Sequence, residues 1–145
     1  MAMPTMSVDS ASKLTLEGAS KALFYEVRPW GISVTLIQPG FMRSDAFEKV
    51  PYTKMSEKAS VDESAPYHYK YHHTSGFIAK TMKWAPATPE SVARKVTKVI
   101  GSRSPPLRVY GGMDAFGFSM LRRILPMRVY NELLYRSLPS VRRWG

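Results

Sequence analysis

The spacing of apolar positions predicts a first helix over residues 13–28. Apolar side chains recur there at every third or fourth position, which places them on one face of a helix: Leu16, Ala19, Ala22, Leu23 and Val27. Ser10 or Ser12 is a suitable cap for its start. Glu17 and Lys21, four positions apart, should form an ion pair on this helix, which Pro29 and Gly31 then end.

Two short apolar stretches predict β-strands. The first, "ISVTLI" at 32–37, is β-branched and apolar on both faces, as in a strand covered on both sides, and "QPG" ends it. The second, "PLRVYGG" at 106–112, is closed by glycines. Because strands and helices alternate along the chain, we expect an α/β fold with a parallel sheet, of which two strands are visible.

Residues 41–87 show no sustained period and mix Lys, Ser and Pro with aromatic residues, so we predict a long loop there. A helical period returns at "TPESVARKVTKVI", where Thr88 can cap and Pro89 suits the first helical position. Two apolar, arginine-bearing segments follow, at 115–125 and 127–138, divided by Pro126. The expected total is two strands and about four helices.

Composition and charge narrow the class of protein. The 145 residues and 44% hydrophobic content suit one domain, and cysteine is absent, which excludes disulfides and thiolate chemistry. There is no long apolar run, and the first residues do not have the pattern of a signal peptide. We therefore expect a cytoplasmic location, or a membrane-associated one if the basic end of the chain contacts lipid.

Much of the formal charge of +10 lies near the end of the chain, which has six arginines and only two acidic residues after position 110. No nucleic-acid-binding module surrounds them, so we expect no nucleic-acid partner. Two alternatives remain for the terminal segments. They can lie on a membrane surface as a basic amphipathic pair, or pack over a substrate cleft with the arginines outward. We favour the second.

An ordered run over residues 4–44, "PTMSVDSASKLTLEGASKALFYEVRPWGISVTLIQPGFMRS", resembles the short-chain dehydrogenase/reductase family from just before its catalytic tyrosine onward. That family carries Tyr-x-x-x-Lys, then a helix, a buried strand and a Pro-Gly loop with a hydroxyl residue four places after the glycine. The matching residues are Ala11, Ser12, Lys13, Glu17, Gly18, Pro39, Gly40 and Ser44. Within this run, the segment "EVRPWGISVTLIQPG" is most similar to the branch of the family acting on steroids, retinoids and other apolar alcohols.

The resemblance implies the C-terminal half of a Rossmann-like, doubly wound parallel sheet, without the N-terminal half. Residues 1–44 would hold the active-site helix, strand and Pro-Gly loop, residues 45–87 the substrate loop, and residues 88–145 the last helix, last strand and a C-terminal extension. It implies NAD or NADP as cofactor. Lys13 would bond the nicotinamide ribose, and Pro39, Gly40, Phe41 and Ser44 would hold the carboxamide side.

Two departures put catalysis in doubt. Asp9 stands where the family has tyrosine, four positions before Lys13, and an ionised carboxylate has no proton to donate to a carbonyl. The other interpretation of Asp9 is an exposed residue at a helix start, paired with Lys13. The glycine-rich phosphate loop is also absent from residues 1–145. We expect an oxidoreductase by descent for an apolar alcohol or ketone, catalytically incomplete. The alternative is a non-catalytic truncated paralogue that binds itself or a relative through helix 13–28.

The histidines and aromatic residues of 66–84 invite other interpretations. His68 and His72 are four apart, but the surrounding sequence is not a zinc signature, so no metal site is expected. An aromatic lining for a lipid-like substrate and a solvated loop both remain open. The aromatic candidates for that lining are Tyr67, Tyr69, Tyr71, Phe77 and Trp84.

Overall fold

The computed structural model describes residues 4–44 and 53–143, which fold as an α/β unit. Six α-helices and two β-strands occur in these ranges. In chain order they are α1 Ser7–Val27, β1 Leu36–Gln38, α2 Lys54–Val61, α3 His68–Lys83, α4 Pro89–Ile100, β2 Arg108–Tyr110, α5 Met113–Ile124 and α6 Met127–Ser137. Short 3-10 helices occupy Arg28–Trp30 and Val141–Arg143.

The two strands pair in parallel, as the sequence predicts. Leu36 lies opposite Arg108, and Gln38 lies opposite Tyr110. The ladder continues beyond the strand ends, since the Leu36 N–H bonds the Leu107 carbonyl and the Gly111 N–H bonds the Gln38 carbonyl, each at 2.7 Å. Among the described residues, three helices lie between the two strands, which is consistent with part of a Rossmann-like sheet.

The first helix starts earlier than predicted. α1 begins at Ser7, and its N-cap residue, Met6, makes no side-chain capping bond, so the prediction that Ser10 or Ser12 caps the helix is wrong. The Ser12 hydroxyl instead donates to the Asp9 carbonyl from within the helix. The predicted end is confirmed, because a 3-10 turn containing Pro29 leads to Gly31 in the left-handed region, at φ 72°.

The prediction of a long loop over 41–87 is wrong for two segments, because α2 and α3 lie within it. A capping box starts α2, in which Thr53 and Ser56 bond each other's backbone N–H. No side-chain cap marks the start of α3. The helix contacts α2, and the contact includes a hydrogen bond between the His68 ring and the Ala59 carbonyl. Because helices stabilised by such tertiary packing need no strong helical pattern of their own, the sequence gives little sign of them. Residues 45–52 lie outside the described ranges.

The strands are shorter than predicted. Residues 32–35 are not part of β1, and all three residues of β1 are half-buried. A strand with one neighbour cannot be enclosed as fully as a central strand, so the prediction of a strand covered on both faces is wrong for the chain alone. The predicted start of α4 is confirmed, with the Thr88 capping box and Pro89 in its first turn.

The buried core of the described residues is small. Its apolar members are Ala59, Ile78, Ala85, Ala87 and Tyr130. The accessible surface is 10933 Å² for 16.4 kDa, whereas a folded monomer of this mass exposes about 7,500 Å². Many large apolar side chains of the described helices are exposed, including several along α1. No helix in the described ranges is long and apolar enough to cross a membrane.

Candidate functional site

A sharp bend follows β1 and holds most of the predicted site residues together. We call residues 39–44 the Pro-Gly bend. Gly40 adopts φ 73°, a left-handed conformation that glycine reaches without steric cost. Because the bend lies at the carboxyl end of a parallel strand, it occupies the edge of the sheet where open α/β folds bind ligands.

The side chain of Asp114, in the first turn of α5, fixes this bend. Its Oδ2 accepts a hydrogen bond from the Phe41 N–H at 2.6 Å. The other oxygen, Oδ1, is buried and has no partner among the described residues. The carboxylate lies directly over Gly40, where an added Cβ would come within 2.5 Å of Oδ2. A side chain at position 40 would therefore have to displace the Asp114 carboxylate as well as adopt a positive φ.

Gly111 lets the two strand ends approach closely. An added Cβ at this buried residue would lie 2.5 Å from the Cα of Pro39 and 2.7 Å from its carbonyl oxygen. Both atoms belong to the backbone, so neither can move aside as a side chain would. The Lys95 ammonium of α4 donates to the Tyr110 and Gly111 carbonyls at 2.9 and 2.7 Å. The start of the bend at Pro39 is thus packed directly against the backbone of Gly111.

The far end of the bend is held by the segment before α4. Met42 forms a parallel bridge with Ala87, and the Arg43 N–H bonds the Ala87 carbonyl at 2.9 Å. Ser44 follows, and its hydroxyl oxygen is buried without a hydrogen-bond partner in the part of the chain that the structure describes. A buried hydroxyl without a partner is costly unless a ligand or water completes it.

Lys13 and Asp9 lie elsewhere, on exposed positions of α1. The ion pairs formed by the described residues do not include one between them, so the expected Asp9–Lys13 pair is not formed. Within residues 4–44 and 53–143, no hydrogen bond joins Lys13 to the Pro-Gly bend. The structure thus groups Pro39, Gly40, Phe41 and Ser44, and the roles of Lys13 and Asp9 stay predictions.

Glu17 connects α1 to the sheet. Its Oε1 accepts from Lys21 at 2.7 Å, which confirms the predicted pair, and also from the guanidinium of Arg108 on β2. The hydrogen bond from Lys21 lowers the pKa of Glu17 below its ordinary value. Burial acts in the opposite direction, and the charges of Arg108, Lys21 and Arg122 lower the pKa further. The bond to β2 thus fixes the helix that carries Lys13.

The segment predicted to line a substrate cleft contains a cavity of about 460 Å³ between α2 and α3. Tyr67 and Tyr71 line it, whereas Phe77 and Trp84 do not, and the Trp84 side chain is mostly exposed. The Tyr69 hydroxyl is buried and has no hydrogen-bond partner in the described part of the chain. Among the described residues no group of three potential metal ligands occurs. The His68 ring stacks on His72 within α3 and bonds the Ala59 carbonyl of α2, and His73 contacts the Ser140 hydroxyl.

Asp114 and Lys95 contribute to the site, although sequence reasoning did not select them. Their partners lie 73 and 15 or 16 positions away, a separation that no local pattern encodes. A partial signal for Asp114 exists. It is an acidic residue in the first turn of a helix, two positions after Gly112, and such a residue favours contact with backbone N–H groups. Lys95 gives no comparable signal.

Comparison with known proteins finds similarity to oxidoreductases. The chain is 29% identical over 121 residues to "Oxidoreductase BOA17" of Botryotinia fuckeliana, covering 80% of this chain and 40% of that protein. It is 30% identical over 131 residues to "Uncharacterized oxidoreductase YbbO" of Escherichia coli strain K12, covering 90% of this chain and 42% of that protein. The chain thus spans about two-fifths of the length of these relatives. No family model matches it.

Proposed function

We propose that residues 1–145 form the C-terminal portion of a short-chain dehydrogenase/reductase, which interconverts an apolar alcohol and its ketone with NAD or NADP. The observation that carries the proposal is the Pro-Gly bend at the carboxyl end of β1. A left-handed glycine lies there together with the buried Ser44 hydroxyl, which has no hydrogen-bond partner within residues 4–44 and 53–143. The similarity to two proteins named oxidoreductases supports the same class of reaction.

The groups of the bend fit a nicotinamide carboxamide in part. The Ser44 hydroxyl can donate to the amide oxygen or accept from its nitrogen. The Phe41 N–H is less suitable, because it is engaged with Asp114. We therefore assign the carboxamide to Ser44 and to the backbone at Pro39 and Gly40, with Lys13 directed to the ribose. The bound cofactor would supply or accept hydride.

The proton-transfer part of the site is incomplete in this chain. A tyrosine four positions before a lysine shares one helical face with it and can pass a proton while hydride moves. At Asp9 a shorter, negatively charged group stands in that place. Residues 1–145 also lack a glycine-rich loop to hold the pyrophosphate. We propose that the chain alone keeps contacts to nicotinamide and substrate but does not complete the reaction.

A turnover assay tests this proposal. The purified chain is mixed with NADPH or NADH and a panel of steroid, retinal and fatty ketones, and the absorbance of the reduced nicotinamide is followed over time. We expect no steady loss above that of the matched Lys13→Ala variant. Steady oxidation that depends on Lys13 would show that the chain is catalytically complete.

A second candidate is a non-catalytic partner of an intact relative, or of itself, through α1. The exposed apolar residues of this helix favour it, among them Val8, Leu14, Leu16, Leu23 and Tyr25. Co-purification with a full-length family member, weakened by Leu16→Ser and Leu23→Ser, would support this role. A strictly monomeric chain that captures no relative at any accessible concentration would exclude it.

A further inference from the structure

The outer face of α5 is an exposed apolar stripe. Met113, Phe116, Met120 and Ile124 follow one another at spacings of three, four and four, so they lie along one side of the helix. All four are exposed, with Met113 at 77% and Ile124 at 71%. The described residues do not cover the stripe, and the packing of this segment over a substrate cleft stays a prediction.

Two exposed arginines lie close in sequence to the end of the stripe. Arg123 precedes Ile124 on the neighbouring edge of α5, and Arg128 follows in the first turn of α6, both exposed. Neither forms an ion pair in the described ranges. The two acidic residues of this region are engaged, since Asp114 accepts from Phe41 and Glu132 pairs with Arg136. We call the stripe together with these two arginines the basic apolar face.

The two helices that carry the basic apolar face, α5 and α6, are held in place by contacts on their other sides. α6 packs through Tyr130, which is 6% exposed, and α5 contacts β2 through the Tyr110–Ser119 hydrogen bond at 2.6 Å. The opposite side of α5 carries Arg122, whose charge acts on Glu17. The exposed stripe thus follows from the way α5 is fixed to the sheet, which leaves its apolar side outward.

We propose that the basic apolar face binds the surface of an anionic lipid bilayer. A helix of this kind lies in the interface with its apolar side among the acyl chains, while cations beside it contact lipid headgroups. Arginine suits the edge of such a face because its long side chain reaches from the apolar boundary to the phosphates. α5 has 12 residues, so the proposed contact is peripheral.

Charge complementarity favours lipid over other partners. Two copies meeting through this face around a twofold axis would bring like charges together at Arg123 and Arg128, which opposes association. A nucleic acid would satisfy the arginines but leave Met113, Phe116, Met120 and Ile124 in water. An anionic bilayer accommodates the cations and the apolar side chains together. The proposal does not depend on the proposed enzymatic function.

Vesicle flotation tests the proposal with the full chain. Vesicles of phosphatidylcholine alone are compared with vesicles containing about 30% phosphatidylserine. We expect binding to the anionic vesicles, weakened when salt rises from about 50 to about 500 mM. The double variant Met113→Ser, Ile124→Ser should bind about tenfold more weakly, because the buried apolar area is lost. Arg123→Gln with Arg128→Gln should weaken binding to anionic vesicles alone.

The chain offers closely matched controls. Met55 and Ile100 are each 79% exposed on other helices, so Met55→Ser, Ile100→Ser removes the same residue types elsewhere. Lys54→Gln, Arg103→Gln removes two exposed charges elsewhere. Both controls should bind as the unaltered chain does. Equal loss in stripe and control variants, or equal binding to neutral vesicles, would overturn the proposal. A dimer that the stripe variants dissociate, without vesicle binding, would overturn it in favour of a contact between copies.

Discussion

The carboxylate of Asp114 accepts a hydrogen bond from the backbone N–H of Phe41, a residue 73 positions earlier in the chain. The bond connects the bend after β1 to the helix after β2. The conformation of the candidate nicotinamide site therefore depends on a residue outside the motif that identifies it.

Replacing Asp114 by alanine should loosen the bend. We expect a loss of about 1–2 kcal/mol in the free energy of unfolding, toward the low end because the unpartnered Oδ1 is removed as well. The Phe41 amide should exchange faster with solvent. Asp114→Asn keeps an acceptor oxygen and should show a smaller effect on both measurements.

Glu132→Ala is the matched control for this change, since its carboxylate pairs with Arg136 on an exposed face of α6. It should change stability by less than about 1 kcal/mol and leave the Phe41 amide unaffected. An unchanged exchange rate for Phe41 in the Asp114→Ala protein would show that the carboxylate does not hold the bend.

Gly111→Ala should be strongly destabilising, because its Cβ would overlap backbone atoms of Pro39. We expect about 1–3 kcal/mol, with the strand ends forced apart. Gly117→Ala is the control. An added Cβ at Gly117, within α5, meets nothing within 4 Å, so it should stabilise the helix by about 0.5–1 kcal/mol. Thermal unfolding of both variants distinguishes them, and equal effects would contradict the close backbone packing.

The lowered pKa of Glu17 predicts a pH dependence of stability. Since the folded-state pKa lies below the ordinary value of 4.5, its stabilising contribution is complete above that pH. The contribution is lost as the pH falls through the folded-state pKa. Glu17→Gln should lower the free energy of unfolding by about 1–2 kcal/mol at pH 7, and the difference from the unaltered chain should narrow below about pH 4.

Glu132→Gln serves as the comparison for Glu17, because its side chain is 55% exposed and its ion pair is screened by water. It should have little effect at either pH. Denaturant unfolding at several pH values measures both. A constant difference between Glu17→Gln and the unaltered chain from neutral to acid pH would contradict the assigned pKa direction.

Asp9→Tyr introduces the tyrosine that the proposed short-chain dehydrogenase/reductase function would require four positions before Lys13. We expect no gain of turnover in the chain alone, because a proton donor does not supply the missing pyrophosphate site. Steady ketone reduction by this variant with NADPH, absent from an Asp9→Phe control that lacks the hydroxyl, would show that the tyrosine alone completes the site.

Local signals in the sequence predicted the elements that depend on local interactions. The Thr88–Pro89 start of α4 and the Glu17–Lys21 pair are both confirmed, since each involves residues within four positions. The parallel pairing of the strands also followed from the alternation of elements. The helix α2 was missed although its Thr53–Ser56 capping box is a local signal. The helix α3 was missed because it has no capping residue to mark its start.

In the candidate site as well, local features could be predicted from the sequence, whereas contacts between distant residues could not. The Pro-Gly bend was predicted from its residue types, but its contact with Asp114 and the burial of the Ser44 hydroxyl are tertiary features. The expected Asp9–Lys13 pair did not form, although Glu17–Lys21 has the same spacing. Glu17 gains a second cation, Arg108 of β2, and this contact is invisible in the local sequence.

Titration of the isotopically labelled chain with nicotinamide mononucleotide, followed by amide NMR shifts, tests the central claim most directly. This ligand carries the nicotinamide and ribose without the adenosine half, so binding needs no glycine-rich loop; a dissociation constant near 1 mM corresponds to only about 4 kcal/mol. We predict saturable shifts at Gly40, Phe41, Ser44 and Lys13, weakened by Ser44→Ala and absent with adenosine monophosphate. Unchanged amides at the bend, or the same shifts with both nucleotides, would contradict a nicotinamide site there.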